Sequence, residues 1–125
     1  MSKIVQAVNV MIANPQSIGD VLRGSNGELY FTYKQYKWSI RRELAPKENY
    51  WIFFYPGEDS IETLASLSDD EWQDAEIPMV SYSSREIGTT EAQQTFAELY
   101  GTLKQRVYRL NEVLDDIIGD DFPTS

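Results

Sequence analysis

The sequence contains no cysteine and no histidine. Without cysteine there is no disulfide, so the fold does not depend on an oxidising compartment. Thiolate and imidazole metal sites are excluded. So are Cys nucleophiles, Ser-His-Asp triads and His acid–base steps. The usual pH switch near neutrality is missing too. Any chemistry must draw on Asp, Glu, Lys, Tyr, Ser or Thr. No apolar run approaches the length that spans a bilayer. Gln6 and Asn9 interrupt the apolar stretch Ile4–Ile12, which argues against a signal peptide. There is no Asn-x-Ser/Thr acceptor. A cytoplasmic location is the expectation.

What is present reads as globular. A chain of 125 residues, 42% hydrophobic and 25% charged, can bury one core without staples. Aromatics make up 13%, and eight of them are Tyr, which can bury a ring while its hydroxyl stays wet. The charge is uneven along the chain. Residues 1–57 hold seven Lys and Arg against four Asp and Glu, a net of +3. Residues 58–125 hold four against sixteen, a net of −12. Such a split points to surfaces with different partners, or to surfaces that attract each other.

Ile4, Val8, Met11 and Ile12 recur at helical spacing and predict an amphipathic helix over 3–13. Asn14-Pro15 interrupts it, and Ile18, Val21 and Leu22 predict a second short helix. Residues 28–42 alternate like a strand whose phase changes once. Leu29, Phe31 and Tyr33 form one apolar series; Tyr36, Trp38 and Ile40 form the next. One extra residue near Gln35, as a bulge, places both series on one face; a tight turn between two short strands is the competing reading. The other face then carries Tyr30, Thr32, Lys34, Lys37, Ser39 and Arg41.

Tyr50 to Tyr55 is apolar on both parities, as in an interior strand covered on both sides or one buried more deeply than its neighbours. Ser60 can cap a short helix, and Ser68 to Glu71 matches a capping box with Trp72 as the anchor behind it. Residues 77–83 read as a strand, with Pro78 favouring an edge or a strand start. Thr90 to Gln93 matches a second capping box, opening a helix to about Ile118 whose stripe is Phe96, Leu99, Leu103, Val107, Leu110, Leu114 and Ile117. Gly101 is its expected weak point.

These elements predict an α+β fold: an antiparallel sheet of three to four strands packed with N-terminal helices, a short middle helix and a long C-terminal helix. Residues 1–119 are read as a single domain and 120–125 as a frayed tail.

Three groups of residues carry candidate functions. The first is acidic: Asp69, Asp70 and Asp74 around Trp72, and Glu112, Asp115 and Asp116 near the end of the chain. Capping and solvation account for much of the first set. Asp115 and Asp116 sit in a last helical turn, where negative charge is unfavourable. Neither set has the alternating ligands and central Gly of a calcium loop, and no metal or cofactor is assigned. The second is the stripe end Val107, Leu110, Leu114 and Ile117, a candidate self-association surface for a homodimer. The third is the aromatic sheet, where Tyr33, Tyr36, Trp38, Tyr50 and Trp51 either fill the core or line a pocket.

Glu43, Glu48 and Lys47 share a loop, but no spacing defines an acid–base pair, and no catalytic residue is assigned. Net charge of −9 opposes a nucleic-acid partner despite the cations of 34–42. The functional expectation is therefore an acidic protein-binding or regulatory module, not an enzyme, engaging a partner with a basic surface and self-associating. A small-molecule binder or minor enzyme, with a pocket between sheet and helices, is the alternative.

Overall fold

In the computed structural model, which describes residues 2–119 without the side chains of Leu110 and Asn111, the segment 28–42 is a hairpin rather than one bulged strand. Strands β2 (Leu29–Tyr33) and β3 (Tyr36–Glu43) turn through Lys34 and Gln35, with Tyr33 facing Tyr36. Lys34 takes a left-handed φ of 57° to close the turn. The two apolar series still share a face, because Leu29 pairs with Ile40 and Phe31 with Trp38. The proposed tail 120–125 lies outside the described residues.

The second expected helix is instead strand β1 (Ile18–Arg23), which follows helix α1 (Lys3–Ala13) and a single 3₁₀ turn (Pro15–Ser17). The reason is a bulge. Ile18 pairs with Tyr33 but Val21 pairs with Phe31, so one extra residue sits between them. That residue turns the two-residue repeat of a strand into a three-residue spacing, which imitates a helix in the sequence. Gly19 is required there: a Cβ would stand 2.2 Å from Thr32 Oγ1. Arg106 fixes the bulged start by donating to the carbonyl oxygens of Ile18 (2.7 Å), Gly19 (3.2 Å) and Pro15.

Strand β4 (Asn49–Tyr55) and strand β5 (Val80–Ser83) complete an antiparallel sheet of five strands in the order β1-β2-β3-β4-β5. Helices α2 (Ile61–Ser66) and α3 (Asp69–Asp74) lie between those strands in the chain, and α4 (Ser84–Ile87), α5 (Thr90–Val107) and α6 (Leu110–Gly119) follow. One face of the sheet carries the main core. Val5 and Val8 of α1 and Phe96, Leu99 and Leu103 of α5 pack on Phe31, Ile40 and Ile52, all close to fully buried. Each such large side chain contributes about 1.5–3 kcal/mol relative to exposure. The opposite face carries a smaller cluster, in which Ile61 and Leu64 of α2 and Trp72 of α3 cover Tyr30 and Tyr55. Tyr50 to Tyr55 is apolar on both parities because both faces are covered.

The C-terminal helix starts one residue early, with Thr89 rather than Thr90 accepting the cap hydrogen bond from Ala92 N–H at 3.0 Å. It breaks at Arg109 (φ 53°), not at Gly101, which lies inside α5 facing open space. Among the described side chains of the stripe, Val107 is the last that is half-buried against the core.

Asn49 joins β4, β5 and α4. Its Oδ1 lies 3.1 Å from Ser83 Oγ and 2.9 Å from Ser84 Oγ, and it accepts from Arg85 N–H at 3.0 Å. Asn49→Ala leaves Ser83 Oγ and Arg85 N–H without this acceptor, while Ser84 Oγ keeps Gln93 Oε1 at 2.7 Å. The expected loss is about 1–3 kcal/mol in urea unfolding.

Candidate functional site

Strand alternation aims one row of side chains away from the main core. Tyr30 pairs with Ser39, and Ser39 with Phe53, so the three stand side by side on the face opposite α1 and α5. Arg41 follows two residues on, and its guanidinium lies 5.6 Å from the Phe53 ring centroid. Glu28 precedes Tyr30 by one pleat. It is held by a local turn in which its N–H donates to Asn26 Oδ1 at 3.2 Å and its carbonyl accepts from Gly24 N–H at 2.7 Å.

Helix α3 roofs this row. The capping box foreseen at Ser68 and Glu71 forms: Ser68 Oγ accepts from Glu71 N–H, and the Glu71 carboxylate accepts from Ser68 N–H. It seats Trp72 on two tyrosines. The Trp72 ring centroid is 6.4 Å from Tyr30, inclined by 15°, and 6.1 Å from Tyr55. Beside Trp72 a cleft of about 490 Å³ remains open, walled by Tyr30, Phe53, Tyr55 and Trp72, with Met79, Gln73 and Asn26 at its edges. Glu28, Arg41 and Asp69 supply its charges.

Glu28 is the unusual member. It is only 5% exposed. Ser39 Oγ donates to Glu28 Oε2 at 2.5 Å, and the Tyr55 hydroxyl lies 3.2 Å from the same oxygen and 2.7 Å from Ser39 Oγ. Among the described residues no Lys or Arg forms an ion pair with it. Buried carboxylates are normally matched by a cation, because hydroxyls replace only part of the lost hydration. A carboxylate held this way beneath aromatic walls is suited to an incoming ammonium or guanidinium group.

The same surroundings act on the tyrosines. Burial, followed by the nearby Glu28 carboxylate, pushes the Tyr30 and Tyr55 phenols well above their ordinary range. A raised phenol favours the protonated, folded form. Its contribution is complete below the unfolded value of about 10 and is lost as pH rises above that. Stability should therefore fall steeply on the alkaline side, and tyrosinate absorbance should report Tyr30 and Tyr55 ionising together with unfolding. Titration of all tyrosines in the still-folded chain would contradict this.

The residues anticipated from sequence fall in different places. Asp69 lines the cleft, while Asp70 and Asp74 are exposed on α3. Glu112, Asp115 and Asp116 are exposed on α6, and Glu112 pairs with Arg109 at 2.7 Å. The two acidic sets thus stand on separate elements: α3 packs on Tyr30 and Tyr55, and α6 follows α5 beyond the break at Arg109 with its described side chains exposed. Val107 is half-buried against the core, whereas Leu114 and Ile117 are 46% and 59% exposed; the Leu110 side chain is outside the described residues.

The aromatics expected around a pocket do not line this cleft. Tyr33 and Tyr50 belong to the main core, Trp38 packs against it, Tyr36 is exposed, and Trp51 stacks on Phe53 at 6.2 Å without lining the cleft. Lys37 is engaged as well, donating to the carbonyl oxygens of Gly57 (2.5 Å) and Asp59 (2.6 Å). No sequence motif groups Glu28, Tyr30, Ser39, Arg41, Phe53 and Tyr55 as a site. Their shared parity across the paired strands is the signal that could have grouped them. Among the described residues no three carboxylates gather as a metal-sized group, and no helix is long and apolar enough to cross a membrane. No protein-family model, no curated protein and no solved structure matches the chain.

Proposed function

We propose that this chain is a protein-recognition module whose α3 cleft receives a Lys or Arg side chain of a partner, and that it self-associates through α6. The observation that carries the reading is Glu28: a buried carboxylate, with no ion pair among the described residues, under aromatic walls. Asp69 at the rim and the overall charge of −9 favour encounter with a basic surface. The role is binding rather than catalysis, and the cytoplasm, where a chain without disulfides loses nothing, is its expected location.

A calorimetric titration with a short arginine-containing peptide, against the same peptide with glutamate in its place, tests the reading. Saturable binding of the first alone is expected. Equal or no binding by both would remove it. The size of the cleft, within the usual range of small-molecule sites, favours a second reading in which a free organic cation is the ligand. Arginine amide binding as tightly as the peptide would select that second reading.

The self-association part rests on the apolar surface of α6. Val113, Leu114, Ile117 and Ile118 are all about half exposed or more. Contiguous apolar surface of this kind on a soluble chain marks an interaction site.

A further inference from the structure

We infer that a second concavity, at the end of the sheet beside α5, binds a compact anion of the phosphate class. Its volume is about 140 Å³, and Arg23, Arg41, Arg42 and Lys104 line it with no Asp or Glu among the lining residues. The chain has eleven Lys and Arg against twenty Asp and Glu. Four of those eleven meeting in one small hollow is not a consequence of local sequence. Arg23 ends β1, Arg41 and Arg42 lie on β3 beyond its last pair with β2, and Lys104 comes from the last turn of α5. Only the fold brings them together.

Their own neutralisation is slight. Arg42 pairs with Glu48 at 3.0 Å. Among the described residues the other three have no ion pair and rest against rings. Arg23 donates to the Tyr108 hydroxyl at 3.3 Å with its guanidinium 6.0 Å from that ring. Lys104 Nζ is 5.8 Å from the Tyr100 ring, and Arg41 leans on Phe53. Stacking orients a cation while leaving most of its N–H donors unused. Like charges gathered this way repel until an anion joins them, and arginine forks match phosphate oxygens in pairs. The size of the hollow and the net charge of −9 both favour a compact anion over a polyanion.

Inorganic phosphate, titrated at constant ionic strength with chloride as the control and followed by heteronuclear NMR, tests the site. Saturable shifts are expected at Arg23, Gly27, Lys104 and Tyr108. The double variant Arg23→Gln, Lys104→Gln should bind at least about tenfold more weakly. Both side chains are exposed, so the fold should persist, and Arg42→Gln gives a second, independent reading. Arg41 is left in place because it also lines the α3 cleft; peptide binding there should be unchanged in these variants. Phosphate shifts no larger than those from chloride, or undiminished phosphate affinity in the variants, would overturn the assignment. Tighter binding of mixed single-stranded nucleic acid through the same residues would overturn the compact-anion class.

Discussion

Glu28→Gln is expected to abolish capture of a cationic side chain while leaving the chain as stable as before or more so. The substitution keeps the shape of the side chain and an oxygen that accepts from Ser39 and Tyr55, whose hydroxyls hold the native carboxylate at 2.5 Å and 3.2 Å. What it removes is a buried negative charge. In the free chain that charge forms no ion pair among the described residues, Arg41 of the same cleft leaning on Phe53 instead, so its loss should raise stability by about 1–2 kcal/mol. In the complex the same charge meets the ligand. Truncating one member of a buried charge pair costs about 2–5 kcal/mol, a loss of affinity of roughly thirtyfold or more. Glu28→Ala should behave differently, because it strands two hydroxyls and opens a hole, costing about 1–3 kcal/mol of stability. Urea unfolding of both variants separates the cases. If glutamine destabilises as much as alanine, the carboxylate serves the fold.

Leu114→Asp combined with Ile117→Asp should convert a dimer into a monomer. A helix of ten residues is marginal on its own, and Val113, Leu114, Ile117 and Ile118 of α6 stay open to solvent. Charge along this end of the chain is polarised: Lys104, Arg106 and Arg109 precede the acidic Glu112, Asp115 and Asp116. The proposed two-fold, antiparallel pairing of α6 with a second copy would bury both stripes and set each acidic end against the partner's basic end. It would also relieve the unfavourable placement of Asp115 and Asp116 in a last helical turn. Four side chains per dimer are altered, each contributing about 1.5–3 kcal/mol if fully buried. Even half of that total weakens the dimer more than about a hundredfold. Sedimentation at micromolar concentration should give twice 14.4 kDa for the native chain and 14.4 kDa for the variant. A native chain that sediments as a monomer throughout would contradict the pairing.

The elements that sequence periodicity located are those whose spacing comes from one uninterrupted repeat. Phe96, Leu99 and Leu103 mark α5 without ambiguity, and all three are fully buried. The strand β1 was hidden because its bulge gave Ile18 and Val21 a helical interval. The β2–β3 hairpin and a bulged single strand place the same residues on one face, so alternation could not separate them. Lys34 and Gln35 offered no Gly or Asn to mark a turn. The helix break at Arg109 carries no glycine either; it falls where the core ends, which only the packing reveals.

The cleft was partly legible. The capping box at Ser68 and the anchoring role of Trp72 follow from local rules, and Tyr30, Ser39 and Arg41 share a parity. Their meeting with Glu28 and Asp69 needs α3 to fold back across the sheet. That is a tertiary fact with no local signature. The uneven charge of the chain also takes on a definite shape. An acidic, aromatic cleft and a cationic hollow lie next to one another, with Arg41 and Asn26 lining both.

The most direct test follows the assigned amide and indole resonances of the native chain during titration with the arginine-containing peptide. Saturable shifts should appear at Glu28, Tyr30, Arg41, Asp69 and the Trp72 indole, and should vanish in Glu28→Gln. Shifts spread over Asp70, Asp74, Asp115 and Asp116 without saturation, or shifts that survive in Glu28→Gln, would contradict recognition through the cleft.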